Sequence, residues 1–311
     1  MIVVILLRWG NLQVVGVTPV RTFTFMAILF TSGLDVGLIM FPLTEFGGYA
    51  EDYSVTNPLA IEFGFWAFLI WGFYFLTCFY FCVIEPRVKF FDIPLVRVVN
   101  NAVIIGTCAF TAFLLLVNLP WYLPEIGDGE TVVSTFYLIV FLAIAAAVYS
   151  SSKIKYVKIL SVGSSWLFIA LIAVMWGRAF LMDNGSVGDF LGTAGLIGEY
   201  FTNLHQFMLP LNDYHEFYLF WWFSWSIMIG QFTARFVSGL RTWQLMIAML
   251  VFPSVAIATW FSVLYHYHAE GLEIATFINI AMITVGILMV INSLDSLIRL
   301  YTDNLNLTAK R

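Results

Sequence analysis

The chain has 311 residues, of which 61% are hydrophobic and 11% charged, and its formal net charge is −5. A soluble domain is about 45–50% apolar and about 25% charged, so lipid rather than water is the expected solvent. The 14 basic residues do not outnumber the 19 acidic ones, and no patch suited to nucleic acid is present.

A spanning helix needs roughly 20 mostly apolar residues. Windows of that size predict about eight spans, at residues 20–40, 58–84, 95–119, 133–150, 159–181, 217–236, 243–265 and 274–300. The apolar runs are continuous, not alternating, which favours helices over barrel strands. The expected fold is all-α, one polytopic membrane domain over residues 1–311. With Arg8 and Arg21 inside, alternation places 13 of the 14 basic residues inside and leaves only Arg178 outside. Lys/Arg bias sets orientation, so both termini are expected in the cytoplasm, with the chain in the plasma (inner) membrane. Cys78, Cys82 and Cys108 fall in spans and read as packing groups, not a disulfide framework. The apolar run at residues 1–7 is too short for a signal peptide.

The first span is interrupted by Thr31-Ser32-Gly33-Leu34-Asp35-Val36-Gly37, with Pro42 beyond. Irregular backbone at membrane depth is tolerated only where protein or a cavity satisfies it. Broken helices expose carbonyls to substrate and ions in many transporters; a Gly-rich packing face with a paired Asp is the plainer reading. Residues 45–57, with Gly47-Gly48, are expected to form an outer loop. In the second span stand Trp66, Trp71 and Tyr74. On a continuous helix Trp71 lies about 140° from Trp66 and Tyr74 about 80° back, one broad flank. Residues 182–216 form a long outer segment whose middle, 188–208, reads as one amphipathic helix. Leu191, Leu196, Phe201, Leu204, Phe207 and Met208 supply its apolar face, expected to pack on the protein.

The sixth span opens with Trp221-Trp222-Phe223-Ser224-Trp225. Trp221 and Trp225 share a face, and Trp222 points about 100° away. Tryptophan favours membrane interfaces, so a belt or simple packing accounts for any one of these rings. Several together suggest a cage, because indole faces attract cations and a desolvated contact is worth about 2 kcal/mol or more. A quaternary ammonium has no N–H to donate, so such faces are its natural partners. The last span carries Asn292-Ser293-Leu294-Asp295-Ser296, oxygen-bearing side chains that suit a hard cation such as Na⁺. Ionisable residues within spans are functional candidates, and Asp35 and Asp295 are singled out; a helix–helix hydrogen bond is the plainer role for Asp295. The four histidines, His205, His215, His266 and His268, lie in connections or at span ends. Haem or metal ligation in a bundle wants facing histidines within spans, so a redox enzyme is disfavoured. No catalysis and no cofactor are expected, beyond Na⁺ or H⁺ as a coupling ion.

Together these motifs resemble the betaine/choline/carnitine transporter family. The broken segment 31–45 is similar to that family's glycine-rich helix, with Glu45 at its end. Trp66, Trp71 and Tyr74 match its Trp-x4-Trp-x2-Tyr spacing. The run from Trp221 to Trp225, continuing to Gly230, Phe232, Ala234 and Arg235, resembles its tryptophan-rich helix. Gly198-Glu-Tyr-Phe-Thr-Asn resembles its outer helix, and residues 292–296 stand where it has Thr-Ser-x-Asp-Ser. The resemblance implies a LeuT-like fold of two inverted five-helix repeats. Residues 20–181 would be the first repeat, 182–216 the outer segment, and 217–300 the first three helices of the second. It implies an aromatic box from Trp66, Trp71, Tyr74 and Trp222, with Trp221 and Trp225 along the pathway. It also implies a sodium site from the carbonyls of Thr31, Leu34 and Met289 with the side chains of Asn292 and Ser293, and a homotrimer.

Departures from the family pattern modify these expectations. Asp35 replaces a glycine, where a carboxylate would contact the cationic head or carry a proton. Asn292 replaces the usual Thr, Pro42 a small residue, and Phe46 a proline. The chain is shortened at both ends, which leaves room for a second chain supplying the missing helices. The expected function is ion-coupled, alternating-access transport of a quaternary ammonium osmolyte of the glycine betaine, choline or carnitine class. The alternative is a non-transporting, transporter-derived membrane subunit.

Overall fold

A computed structural model describes residues 1–34, 37–182 and 185–307. Asp35, one of the candidate site residues, lies outside the described residues. The chain opens with helix α1 (Ile2–Trp9) and a short strand β1 (Gln13–Val15). The first expected span is α2 (Thr22–Ser32), which stops before Gly33, and the next described helix is α3 (Gly37–Met40). Residues 45–57, expected as a loop, are largely helical: α4 (Pro42–Asp52) has Pro42 and Glu45 in its first turn. Proline's fixed φ is preorganised for a helix start, and a carboxylate there complements the helix dipole.

The second expected span is not one continuous helix. It is divided into α5 (Pro58–Trp66) and α6 (Leu69–Phe79), followed by a π-turn over Tyr80–Ile84 and α7 (Glu85–Val88). The break falls at Ala67–Phe68, where Phe68 has φ of 32°. A bulky residue in that region is strained and needs support from its surroundings. Its backbone N–H, freed from the helix ladder, donates to Ser254 Oγ at 3.1 Å.

Three long helices follow: α8 (Pro94–Tyr122), α9 (Ser134–Ser151) and α10 (Ile154–Met182). The single amphipathic helix expected at 188–208 is instead two short pieces, α11 (Val187–Gly195) and α12 (Gly198–Thr202). Its expected face is partly rearranged: Phe207 is buried as expected, but Leu191, Phe201 and Met208 are exposed, while Ile197 and Tyr200, outside that face, are buried. Then comes α13 (Asp213–Thr233), whose first turn is capped by the Asn212 side chain accepting the His215 N–H at 2.9 Å. Strand β2 (Ser238–Arg241) pairs antiparallel with β1, setting Gln13 opposite Arg241, Val14 opposite Leu240 and Val15 opposite Ser238. The register slips by one residue at Gly239, which adopts φ of 77°. The chain continues through α14 (Thr242–Met246), a π-turn over Ile247–Val251, α15 (Phe252–Ala269) and α16 (Thr276–Asn304).

Six of these stretches are long and apolar enough to cross a membrane: Pro58–Val88, Pro94–Tyr122, Ser134–Ser151, Ile154–Leu181, Thr242–Ala269 and Thr276–Asn304. The protein is therefore an all-α polytopic membrane protein. Of the other two expected spans, α2 is apolar but only 11 residues long. Helix α13 has 21 residues, but Asp213 and Glu216 open it and Trp and Tyr dilute its aliphatic content. Only 28% of the apolar stretch of α8 is buried against protein, compared with 61% for α16. The outward faces of α8 and α9 carry exposed Leu95, Val98, Leu138 and Phe141, as lipid contact requires. Helix α16 is central and packs against α2, α3, α8, α9 and α10.

Candidate functional site

The break after Trp66 positions the aromatic cluster. Because α5 and α6 are separate helices, the angles of a continuous helical wheel do not carry from Trp66 to Trp71. Instead the Trp71 indole N–H donates back to the Trp66 carbonyl at 3.2 Å. The Trp66 ring meets Trp222 of α13 edge-on, with centroids 5.1 Å apart and planes at 67°. Trp222 is held by its own N–H, which donates to the Phe65 carbonyl at 2.8 Å. On the other side of the break, Trp71 and Tyr74 meet at 5.0 Å and 68°, and Phe30 of α2 stacks on Trp71 at 6.2 Å and 16°.

Gly33 ties this second group to the broken helix. The Tyr74 hydroxyl donates to the Gly33 carbonyl at 3.3 Å. A Cβ on Gly33 would lie 2.8 Å from the Tyr74 ring and 3.3 Å from the Trp71 ring. The structure thus gathers Trp66, Trp71, Tyr74 and Trp222 from three helices, all of them at most 2% exposed. The rings meet as two pairs, Trp66 with Trp222 and Trp71 with Tyr74, so a guest would enter by parting them. Trp225 is also buried and lies 5.8 Å from Trp221. Trp221 itself is half-buried and set against Phe110 of α8 and Phe217.

The oxygen-bearing cluster sits where α16 crosses the end of α2. The Ser293 hydroxyl donates to the Leu34 carbonyl and lies 3.4 Å from the Thr31 carbonyl. The Ser32 and Ser296 hydroxyls are hydrogen-bonded at 2.6 Å. Met289 is fully buried one turn before Ser293. Asn292 turns the other way. Its oxygen accepts from Ser161 at 3.0 Å, and its amide donates to Ser164 at 2.9 Å and to the Leu288 carbonyl at 2.7 Å. Adjacent helix positions diverge by about 100°, so Asn292 faces α10 while Ser293 faces the broken helix. Asp295 accepts from Ser150 of α9 and from Ser296, joining helices as a buried carboxylate must.

Sequence reasoning singled out Asp35 and Asp295 and passed over Glu62. This residue lies inside the apolar run of α5 and is fully buried. Beside it stands Glu45 of α4, which accepts hydroxyls from Tyr214 and Tyr218 of α13. Tyr218 in turn packs on Trp66, with centroids 5.6 Å apart. A lone Glu within an otherwise apolar stretch was the available signal. His215, read as lying in a connection, is also buried; it stacks on Phe65 at 4.5 Å and accepts the Leu211 N–H at 3.1 Å. Farther out, the Thr56 hydroxyl donates to Glu199 at 2.7 Å and holds that carboxyl below the usual carboxylate range.

Comparison with known proteins gives this geometry a context. No family model matches the chain. It is 23% identical over 286 residues to an uncharacterized transporter of Mycobacterium tuberculosis, covering 77% of this chain and 46% of the relative. It is 26% identical over 281 residues to an uncharacterized transporter of Haemophilus influenzae, covering 77% and 41%. The relatives are named as transporters. A third, a glycine betaine transporter of Acinetobacter baylyi, is 22% identical over 279 residues, covering 76% and 41%. The chain spans less than half the length of these relatives.

Proposed function

We propose that this chain carries the substrate cage of a secondary transporter for quaternary ammonium osmolytes, of the glycine betaine, choline or carnitine class. The observation that carries the reading is the convergence of Trp66, Trp71, Tyr74 and Trp222 beside a helix that breaks at Gly33. A trimethylammonium head presents only C–H groups, and indole faces recognise it through their quadrupole, at about 2 kcal/mol or more for each desolvated contact. The glycine betaine transporter among the relatives supports the substrate class.

In this reading the fold is the LeuT-like inverted repeat with eight spans, α2 with α3 and α13 completing the six longer ones. Both termini face the cytoplasm at the plasma membrane. Thr31, Leu34 and Ser293 form one wall of the ion site, and Met289 contributes its carbonyl. Asn292 joins only by leaving Ser161 and Ser164, so opening of the α10–α16 contact accompanies ion binding. Trp221 and Trp225 flank the route to the cage.

The test is uptake of labelled choline or glycine betaine into proteoliposomes holding the full chain, with an imposed Na⁺ or H⁺ gradient. Gradient-driven accumulation supports the proposal. Saturable binding without accumulation favours a second reading, a non-transporting membrane subunit that retains the cage. The engagement of Asn292 by two α10 serines is the observation that favours this second reading.

A further inference from the structure

Glu62 poses a problem that the cage by itself leaves open. Its side chain is fully buried, and neither carboxyl oxygen has a hydrogen-bond partner among the described residues. The groups that act on it are the Glu45 carboxyl and the indole edge of Trp66. The Trp66 N–H is itself without a hydrogen-bond partner among the described residues. Around the pair, α4 and its end contribute Tyr49, Asp52 and Tyr53, and α13 contributes Tyr214 and Tyr218. From α15, Tyr265 and His268 pack on Phe46. From α12, Tyr200 packs on Phe63. Among the described residues, neither carboxyl makes a salt bridge to an arginine, lysine or histidine.

An ionised carboxylate in such surroundings takes up a proton rather than bear the loss of hydration. Two carboxyls side by side in a dry site share a single proton, because they cannot both ionise. The tyrosine hydroxyls decide which one is charged. Tyr214 and Tyr218 donate to Glu45 and stabilise its anion. Glu62 receives no hydroxyl donor of that kind among the described residues.

We infer that Glu62, paired with Glu45, is a proton-binding site at the edge of the aromatic cage, and that a cationic head group bound in the cage displaces this proton. The inference rests on the cage reading and narrows its substrate class. Trp66 connects the two sites, since its ring meets both Trp222 and Tyr218, a donor to Glu45, in edge-on contacts. A cation against Trp66 supplies the positive charge that lets both carboxyls ionise. The balance is one carboxylic acid becoming one carboxylate, with one proton released per cation bound. A guest with a net positive charge, such as choline, gains the full attraction. A zwitterion such as glycine betaine brings its own carboxylate and gains less.

The experiment uses the purified full chain in lipid nanodiscs. Choline binding is followed by tryptophan fluorescence across a range of pH, and the protonated carboxyl is followed by its infrared C=O stretch. Affinity for choline should rise with pH, by up to about tenfold per unit where one proton is exchanged. The infrared band should fall on choline addition and be missing from Glu62→Gln, whose binding should no longer depend on pH. The inference is overturned if the band persists in Glu62→Gln, if choline leaves the wild-type band unchanged, or if the variant keeps the wild-type pH slope. Because the wild-type band needs no variant, a poorly folding Glu62→Gln does not remove the test. Absence of saturable choline binding at every pH would overturn both the linkage and the cage. A carboxyl band still present then would trace the failure to the cage.

Discussion

Gly33→Ala perturbs the junction between the broken helix and the aromatic cluster with a single methyl group. That methyl would stand 2.8 Å from the Tyr74 ring, 3.3 Å from the Trp71 ring and 3.2 Å from the Leu29 carbonyl. Ordinary carbon contacts are about 3.5–4.0 Å, so the Tyr74 ring must retreat by roughly 1 Å. It cannot do so freely, because Tyr74 and Trp71 are fully buried and packed edge to face. Overpacking of this kind costs about 1–3 kcal/mol. Losing the Tyr74 hydrogen bond to Gly33 adds about 1 kcal/mol, and the smaller unfolded-state entropy of alanine returns about 0.4–1 kcal/mol. The net expectation is a destabilisation of roughly 1–3 kcal/mol, read as a fall of several degrees in the melting temperature of the detergent-solubilised protein. Gly163→Ala in α10 is the control, since an added methyl there has nothing within 4 Å; it should leave the melting temperature level or raise it. If Gly33→Ala melts at or above the wild-type temperature, Gly33 is not the close approach that sets the cluster.

Two other substitutions test how the flanking helices are held. Gly230→Ala would place a methyl 2.3 Å from Thr77 Oγ1 and 2.8 Å from the Thr77 backbone carbon. Helices α13 and α6 must then separate, so a loss of about 3 kcal/mol is expected in thermal melts, with Thr77→Ala partly restoring stability in the double variant. Ser254→Ala removes the acceptor of the Phe68 N–H and should cost about 1–3 kcal/mol, with faster amide exchange confined to residues near the Ala67–Phe68 break.

Much of the architecture was legible because long apolar helices announce themselves by composition. The break after Ser32 was marked by Gly33 and Gly37, and α2 does end there. The break at Ala67–Phe68 carries no such local mark, having neither glycine nor proline. It depends on Ser254, 186 residues away, and so is invisible to a window. The β1–β2 pair was hidden for the same reason: three residues at one end of the chain pair with four far along it. Helix α4 was missed because Gly47-Gly48 and its polar residues read as a loop, although Pro42 and Glu45 are good first-turn residues. Glu62 was averaged away by the apolar residues around it. The direction of Asn292 was set by serines on α10, which only the packing of that helix on α16 reveals.

The most direct measurement is the affinity for choline of Trp222→Leu against that of the wild-type protein, with melting temperatures recorded for both. Removing one desolvated indole face should weaken binding by about 2 kcal/mol, or roughly 30-fold, while Trp222→Phe, which keeps an aromatic face, should lose less. Equal affinities in a folded Trp222→Leu protein would contradict the claim that these rings receive the cation.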